Sequence, residues 1–115
     1  MSVELTTHAI EKSTFVITVA FTDEDRTAVT PQTANWTLSD DGGTIINNRE
    51  QVEISSPSSS EDIVLSGDDL AIQTGETNLG SRILTIEATY NSDLGAGLPL
   101  NGSVIFTVDN LIKIS

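Results

Sequence analysis

The chain contains no cysteine, so neither a disulfide framework nor a thiolate metal centre can hold it together. Histidine occurs once, as His8, which leaves little room for imidazole-based catalysis or a multi-histidine metal site. Basic residues are scarce. Lys12, Arg26, Arg49, Arg82 and Lys113 face 17 acidic residues, for a net charge of -12. That balance repels phosphate backbones and anionic bilayers, so neither nucleic acid nor membrane is an expected partner. Aromatics number five, too few for the exposed stacking row of a typical sugar-binding surface. No apolar run approaches the roughly 18 residues that a membrane-spanning helix needs. The N-terminus lacks the basic start and apolar core of a signal peptide, so synthesis in a cytoplasm and a soluble product are expected.

What the 115 residues do contain is alternation, in an amount that suits one domain with its own core. "TFVITVAF" puts Phe15, Ile17, Val19 and Phe21 on one face and Val16, Thr18 and Ala20 on the other. "ANWTLS" groups Ala34, Trp36 and Leu38. "QVEIS" groups Val52 with Ile54, and "DIVLS" Ile63 with Leu65. "RILTIEATY" groups Leu84, Ile86, Ala88 and Tyr90. "SVIFTV" groups Val104, Phe106 and Val108. A weaker strand is expected from Val3 to His8 and a short one near Thr44 to Asn47. Turn-forming stretches separate these runs: "DEDRTAVTPQT", "DDGG", "SSPSSS", "SGDDLAIQTGETNLGS" with a helical turn capped by Ser66 or Asp68, and "NSDLGAGLPLNG". No long window of period 3.6 and no internal repeat is present.

Seven to eight short strands with turns between them predict an all-β, antiparallel Greek-key sandwich spanning residues 1–115. Neither sheet can stay dry alone, so the two pack face to face, and each large buried side chain contributes about 1.5–3 kcal/mol. The expected core anchors are Trp36, Phe15, Phe21, Leu84, Ile86 and Phe106. Trp36, the only tryptophan, keeps phase with Ala34 and Leu38, which places it inside rather than on a ligand.

"FVITVAF", "NWTL", "RILTIEATY" and "SVIFTV" resemble the B, C, F and G strands of an immunoglobulin-like sandwich, with Trp36 where that family keeps a buried tryptophan. The likeness covers nearly the whole chain. The family's inter-sheet disulfide is missing, with Val19 and Ile86 expected in that space, and Tyr90 ends the F-like strand instead of opening it. The pattern is similar to cysteine-free domains of tailed-bacteriophage particles and bacterial surface proteins. What the resemblance implies is a non-enzymatic structural module of the virion, decorating a capsid, tail or fibre. It would be made in the host cytoplasm and would contact other virion or surface proteins, or further copies of itself.

Two other functions compete with that expectation. Asp40, Asp41, Asp68 and Asp69 would gather at one end of the sandwich if Thr44 to Ser55 ran as one bent strand. Close carboxylates repel by about 1 kcal/mol per pair in water, and a calcium ion would relieve this in an adhesin-like surface module. The bland alternative is a solvated acidic rim, since no EF-hand spacing is present. A carbohydrate-binding module is the weaker competitor, because all five aromatics fall on inward faces. Catalysis is not expected: His8 lies in an edge strand, the "SSPSSS" serines have no base beside them, and neither "GAG" nor "DDGG" forms a phosphate cradle. Asn35-Trp36-Thr37 and Asn101-Gly102-Ser103 match glycosylation acceptors in form only. The apolar tail residues Leu111, Ile112 and Ile114 extend the pattern past the last strand and are candidates for docking on a partner.

Overall fold

A computed structural model describes residues 2–4 (backbone), 8–72 and 79–109. Its strands are β1 (Ser2–Glu4), β2 (Ala9–Ile10), β3 (Thr14–Ala20), β4 (Thr33–Asp40), β5 (Val52–Glu53), β6 (Ser60–Ser66), β7 (Leu79–Ser92) and β8 (Gly95–Asp109). A single 3-10 turn at Gly67–Leu70 is the only helical element among the described residues. The protein is all-β, and its strands form two sheets. One has the order β1-β8-β7-β4-β5, with β2 also on β8; the other is the pair β3-β6. The chain crosses between sheets after β2, β3, β5 and β6.

Period-two alternation builds the interior. In β4, Ala34, Trp36 and Leu38 are buried; in β7, Leu84, Ile86, Ala88 and Tyr90 are buried. Opposite them, β3 contributes Ile17 and half-buried Phe15 and Val19, and β6 contributes Ile63 and Leu65. Phe21, just past β3, is also buried. The two sheets meet through one apolar cluster, in which the Phe15 and Phe106 rings pack at 5.3 Å between centroids. Trp36 lies between Ile86 of β7 and Val52 of β5 in register, at 8 % exposure. The indole is therefore part of the core. The outward faces of β3 and β6 carry Val16 and Val64 side by side, both about half exposed.

Four details depart from the sequence expectation. The sandwich is not purely antiparallel, because β1 and β2 both run parallel to β8. Parallel neighbours need a long crossover between them, and here the rest of the domain supplies it. Of the strand expected from Val3 to His8, Val3 and Glu4 lie in β1, 5–7 are outside the described residues, His8 is not strand, and β2 follows at Ala9–Ile10. The stretch near Thr44 to Asn47 forms no strand. Ser39 and Ile45 make an isolated bridge, then Asn47 (φ 53°) and Asn48 (φ 57°) turn the backbone through the left-handed region that asparagine tolerates. Finally, "NSDLGAGLPLNG" is mostly strand. Only Asp93 and Leu94 separate β7 from β8. The Asn91 side chain accepts the Gly97 N–H (2.9 Å), and Ser92 Oγ accepts the Leu94 N–H (3.1 Å), which lets the hairpin continue past its glycines. At about 3.3 Å per residue, strands of 14 and 15 residues explain why the molecule is long, with extents of 53 × 25 × 23 Å.

Candidate functional site

Each acidic cluster is positioned by a local turn, and the turns use the carboxylates differently. Asp40 ends β4, and its Oδ1 accepts the N–H groups of Gly42 and Thr44, both at 2.9 Å. Gly43, at φ 91°, completes this turn in a conformation that side chains rarely adopt. Asp23 repeats the device. Its Oδ1 accepts from the N–H of Asp25 (2.9 Å) and of Thr27 (3.0 Å). Such aspartates shape the backbone, as their type does in turns generally. Asp40→Ala is expected to cost about 1 kcal/mol by freeing two backbone donors, whereas Asp41→Ala, at an exposed neighbour, should leave the melting temperature unchanged. Thermal unfolding of the two variants side by side checks this.

Asp69 is buried at 1 % exposure, whereas its neighbour Asp68 is exposed. Its Oδ1 accepts from Arg49 Nε (2.7 Å) and Asn47 Nδ2 (2.8 Å), and its Oδ2 from the Ser66 N–H (3.1 Å). Burial alone would push this carboxyl up, but the three donors and the guanidinium charge outweigh it and hold it below the ordinary carboxylate range. The Arg49 guanidinium is raised in turn, first by that hydrogen bond and then by the charge of Asp69. So Asp69 is an internal tie between the 44–49 segment and the 3-10 turn. Among the described residues, the group of three or more acidic side chains close together is Asp23, Glu24 and Asp25, with ligand atoms within 4.8 Å of one another. Asp40, Asp41, Asp68 and Asp69 do not form such a group. Positive-φ turns at Asn47, Asn48 and Gln51 stand where the expectation had one bent strand from Thr44 to Ser55.

The acidic turn at 23–25 meets the hairpin. Tyr90 Oη donates to Glu24 Oε1 at 2.7 Å. The phenol is raised from its ordinary value, mainly because ionising it would lose this donation, and further by burial and the nearby charges of Glu24, Asp23 and Asp25. An ultraviolet titration should find Tyr90 ionising above free tyrosine, and Glu24→Gln should bring it down.

Sequence reasoning missed three buried charged side chains, Glu11, Asp69 and Arg82. Arg82 is fully buried on the inward face of β7, opposite Asp40, with Nη1 donating to Ser81 O (2.8 Å) and Nη2 to Ala71 O (3.0 Å). Its phase with Leu84, Ile86 and Ala88 was a usable signal. His8 is exposed, and its Nδ1 lies 2.8 Å from Asp109 Oδ1. Leu111, Ile112 and Ile114 lie outside the described residues.

Two concave surfaces stand out among the described residues. One is a polar cleft of about 440 Å³ between β4 and the 51–57 segment, with Asn35, Gln51, Glu53 and Ser56 among its walls. Asn35 Oδ1 is buried without a hydrogen-bond partner. The other is an apolar groove of about 300 Å³ along the seam between the sheets. Ile17, Val19 and Phe21 form one wall and Leu100, Asn101 and Val104 the other. No charged side chain lines it, in a chain with 22 of them. β3 pairs only with β6, and β8 pairs with β1 only from Ser103 onward. Among the described residues, positions 17–20 on one wall and 100–102 on the other therefore present strand edges without a paired neighbour, whereas Phe21 O accepts from the Val29 N–H, Thr22 bridges Ala28, and Ser103 and Val104 are paired with β1. Pro99, which lacks an N–H, sits in β8 just before it, a placement that edge strands allow. No helix among the described residues is long and apolar enough to cross a membrane. No family model, no curated protein and no solved structure matches this chain.

Proposed function

We propose that this chain is a non-enzymatic interaction module of immunoglobulin-like build, serving as a small structural component of a tailed-bacteriophage particle. The hydrogen-bonded order supports the first half of that reading. With β3, β4, β6, β7 and β8 taken as B, C, E, F and G, the pairs B–E and G–F–C are those of the immunoglobulin sandwich, and β5 extends the second sheet as C′ does in variable-type domains. The observation that carries the interaction role is the seam groove. It offers an apolar lining and, at positions 17–20 and 100–102, strand edges without a paired neighbour among the described residues, the kind of surface that strand addition uses. An acidic exterior around it discourages random association while leaving this strip free of charge repulsion. The phage setting rests on the resemblance of the strand pattern and is an analogy of fold.

Mass spectrometry of purified particles from the source lysate tests the setting. The chain is expected at a fixed ratio to the major capsid or tail protein through successive gradients. Its loss on the first gradient would remove the virion assignment.

A further inference from the structure

The occupant of the seam groove can be narrowed by asking which segment could reach it. The groove lies beside Leu100 to Val104. The last described residue of β8 is Asp109, about 17–30 Å further along the same strand at about 3.3 Å per residue. To return, Leu111 to Ile114 would have to reverse direction and pass β2, which holds Val108 and Asp109, and β1, which holds Ser103 to Ile105. The five residues from 110 to 114 span at most about 18 Å when fully extended. At that reach the tail of a molecule touches at most the Val104 end of its own groove and cannot lie along it. The link 5–7 joins Glu4, whose partner Ile105 is next to the groove residue Val104, to His8 at Asp109, and the link 73–78 joins Ile72 to Leu79. Leu79 itself pairs with Asp109.

The same tail has the chemistry that the groove asks for. "LIKI" alternates, so an extended backbone turns Ile112 and Ile114 to one face and Leu111 and Lys113 to the other. Two isoleucines suit an apolar lining of Ile17, Val19, Phe21, Leu100 and Val104. Lys113 is one of only five basic residues in the chain. The groove wall ends at Thr22, and the next three residues are the clustered carboxylates Asp23, Glu24 and Asp25. The cation and the acidic turn are complementary in charge.

We propose that Leu111–Ile114 of one copy adds as a strand to the seam groove of a second copy, with Ile112 and Ile114 against its apolar lining and Lys113 toward the Asp23–Glu24–Asp25 turn. This rests on reading the groove as an interaction surface, and it names the partner. The contact is heterologous, tail into groove. Repeated, it closes a ring or propagates a chain of subunits.

The test uses the 115-residue chain in sedimentation velocity over a concentration series at physiological salt. Wild type is expected to self-associate. Ile112→Ser combined with Ile114→Ser should weaken that at least about tenfold, a change of about 1.4 kcal/mol. Leu100→Glu should do the same from the groove side. Should Leu100→Glu fail to fold by circular dichroism, the exposed wall substitution Ala20→Arg replaces it. Mixing the tail variant with the groove variant is the decisive step. One retains an intact groove and the other an intact tail, so the mixture should form dimers that stop at two subunits. Lys113→Glu should weaken association, and added salt should reduce its difference from wild type. A wild type that stays monomeric throughout, tail variants that associate like wild type, or a mixture that stays monomeric would each overturn the proposal. A monomeric wild type that still co-purifies with particles would leave the interaction role standing with a different strand as occupant. Absence from particles would strike the virion assignment without touching self-association.

Discussion

Trp36→Ala is expected to lower the unfolding free energy by about 3–5 kcal/mol, the usual range for emptying an aromatic site in a core. The indole is 8 % exposed, sits between Ile86 and Val52 in register, and belongs to the cluster that joins both sheets. Its neighbours are strand residues on regular ladders, which cannot slide inward without breaking backbone pairing, so the space would not collapse. Total stabilities of domains are typically about 5–15 kcal/mol. The variant should therefore melt far below wild type, or fail to fold. Trp36→Phe, which retains a ring, should cost visibly less. Chemical denaturation followed by circular dichroism separates these results. Equal midpoints for Trp36→Ala and wild type would mean that the tryptophan does not hold the sheets together.

The second large effect is expected at Asp69. Asp69→Ala removes an acceptor used by Arg49, Asn47 and the Ser66 N–H at a site of 1 % exposure. Stranding donors beside a buried position costs about 1–3 kcal/mol, and hydrogen bonds to a charged group are worth about 1.5–3 kcal/mol. A loss of about 2–4 kcal/mol is expected on these grounds. Arg49 is 43 % exposed and can turn to water, so Arg49→Ala should cost less than Asp69→Ala. The double variant should lose less than the sum of the two, as residues in one network do. The pH dependence has a definite sign. The folded carboxyl lies below its ordinary value, so its contribution is complete above the unfolded carboxylate pKa of about 3.9. It fades as pH falls through that value and is gone below the folded one. Asp69→Asn should flatten this acid limb while lowering stability at neutral pH.

Asp69 also marks where sequence reasoning stops. "SGDDLA" looks like a polar turn, and its two aspartates are adjacent, yet one is exposed and the other is interior. The difference comes from Asn47 and Arg49, some twenty residues earlier, whose approach no local pattern encodes. The core was legible for the opposite reason. Alternation is a local property, and the inward residues of β3, β4, β6, β7 and β8 follow from it alone. Trp36 could be placed by its phase with Ala34 and Leu38.

Pairing direction was not legible. Period two specifies a face and says nothing about whether a neighbour runs parallel, so the parallel seat of β1 on β8 had to come from the structure. The long β7–β8 hairpin was concealed by its glycines and Pro99, which read as a loop. Edge position and the Asn91 contact to Gly97 make them compatible with strand. The seam groove is the hardest feature to read from sequence, because it exists only once the pairings have left two edges without neighbours.

Amide hydrogen exchange, run first on dilute protein and then on concentrated protein, tests the central claim of a closed core beside an open seam. In dilute solution the β4 and β7 amides around Trp36, Leu84 and Ile86 should be the slowest. The Ile17–Ala20 amides that face away from β6 should exchange rapidly, and protection should appear there as concentration rises. Seam amides already protected in dilute monomer, or core amides as fast as those of the seam, would contradict the account.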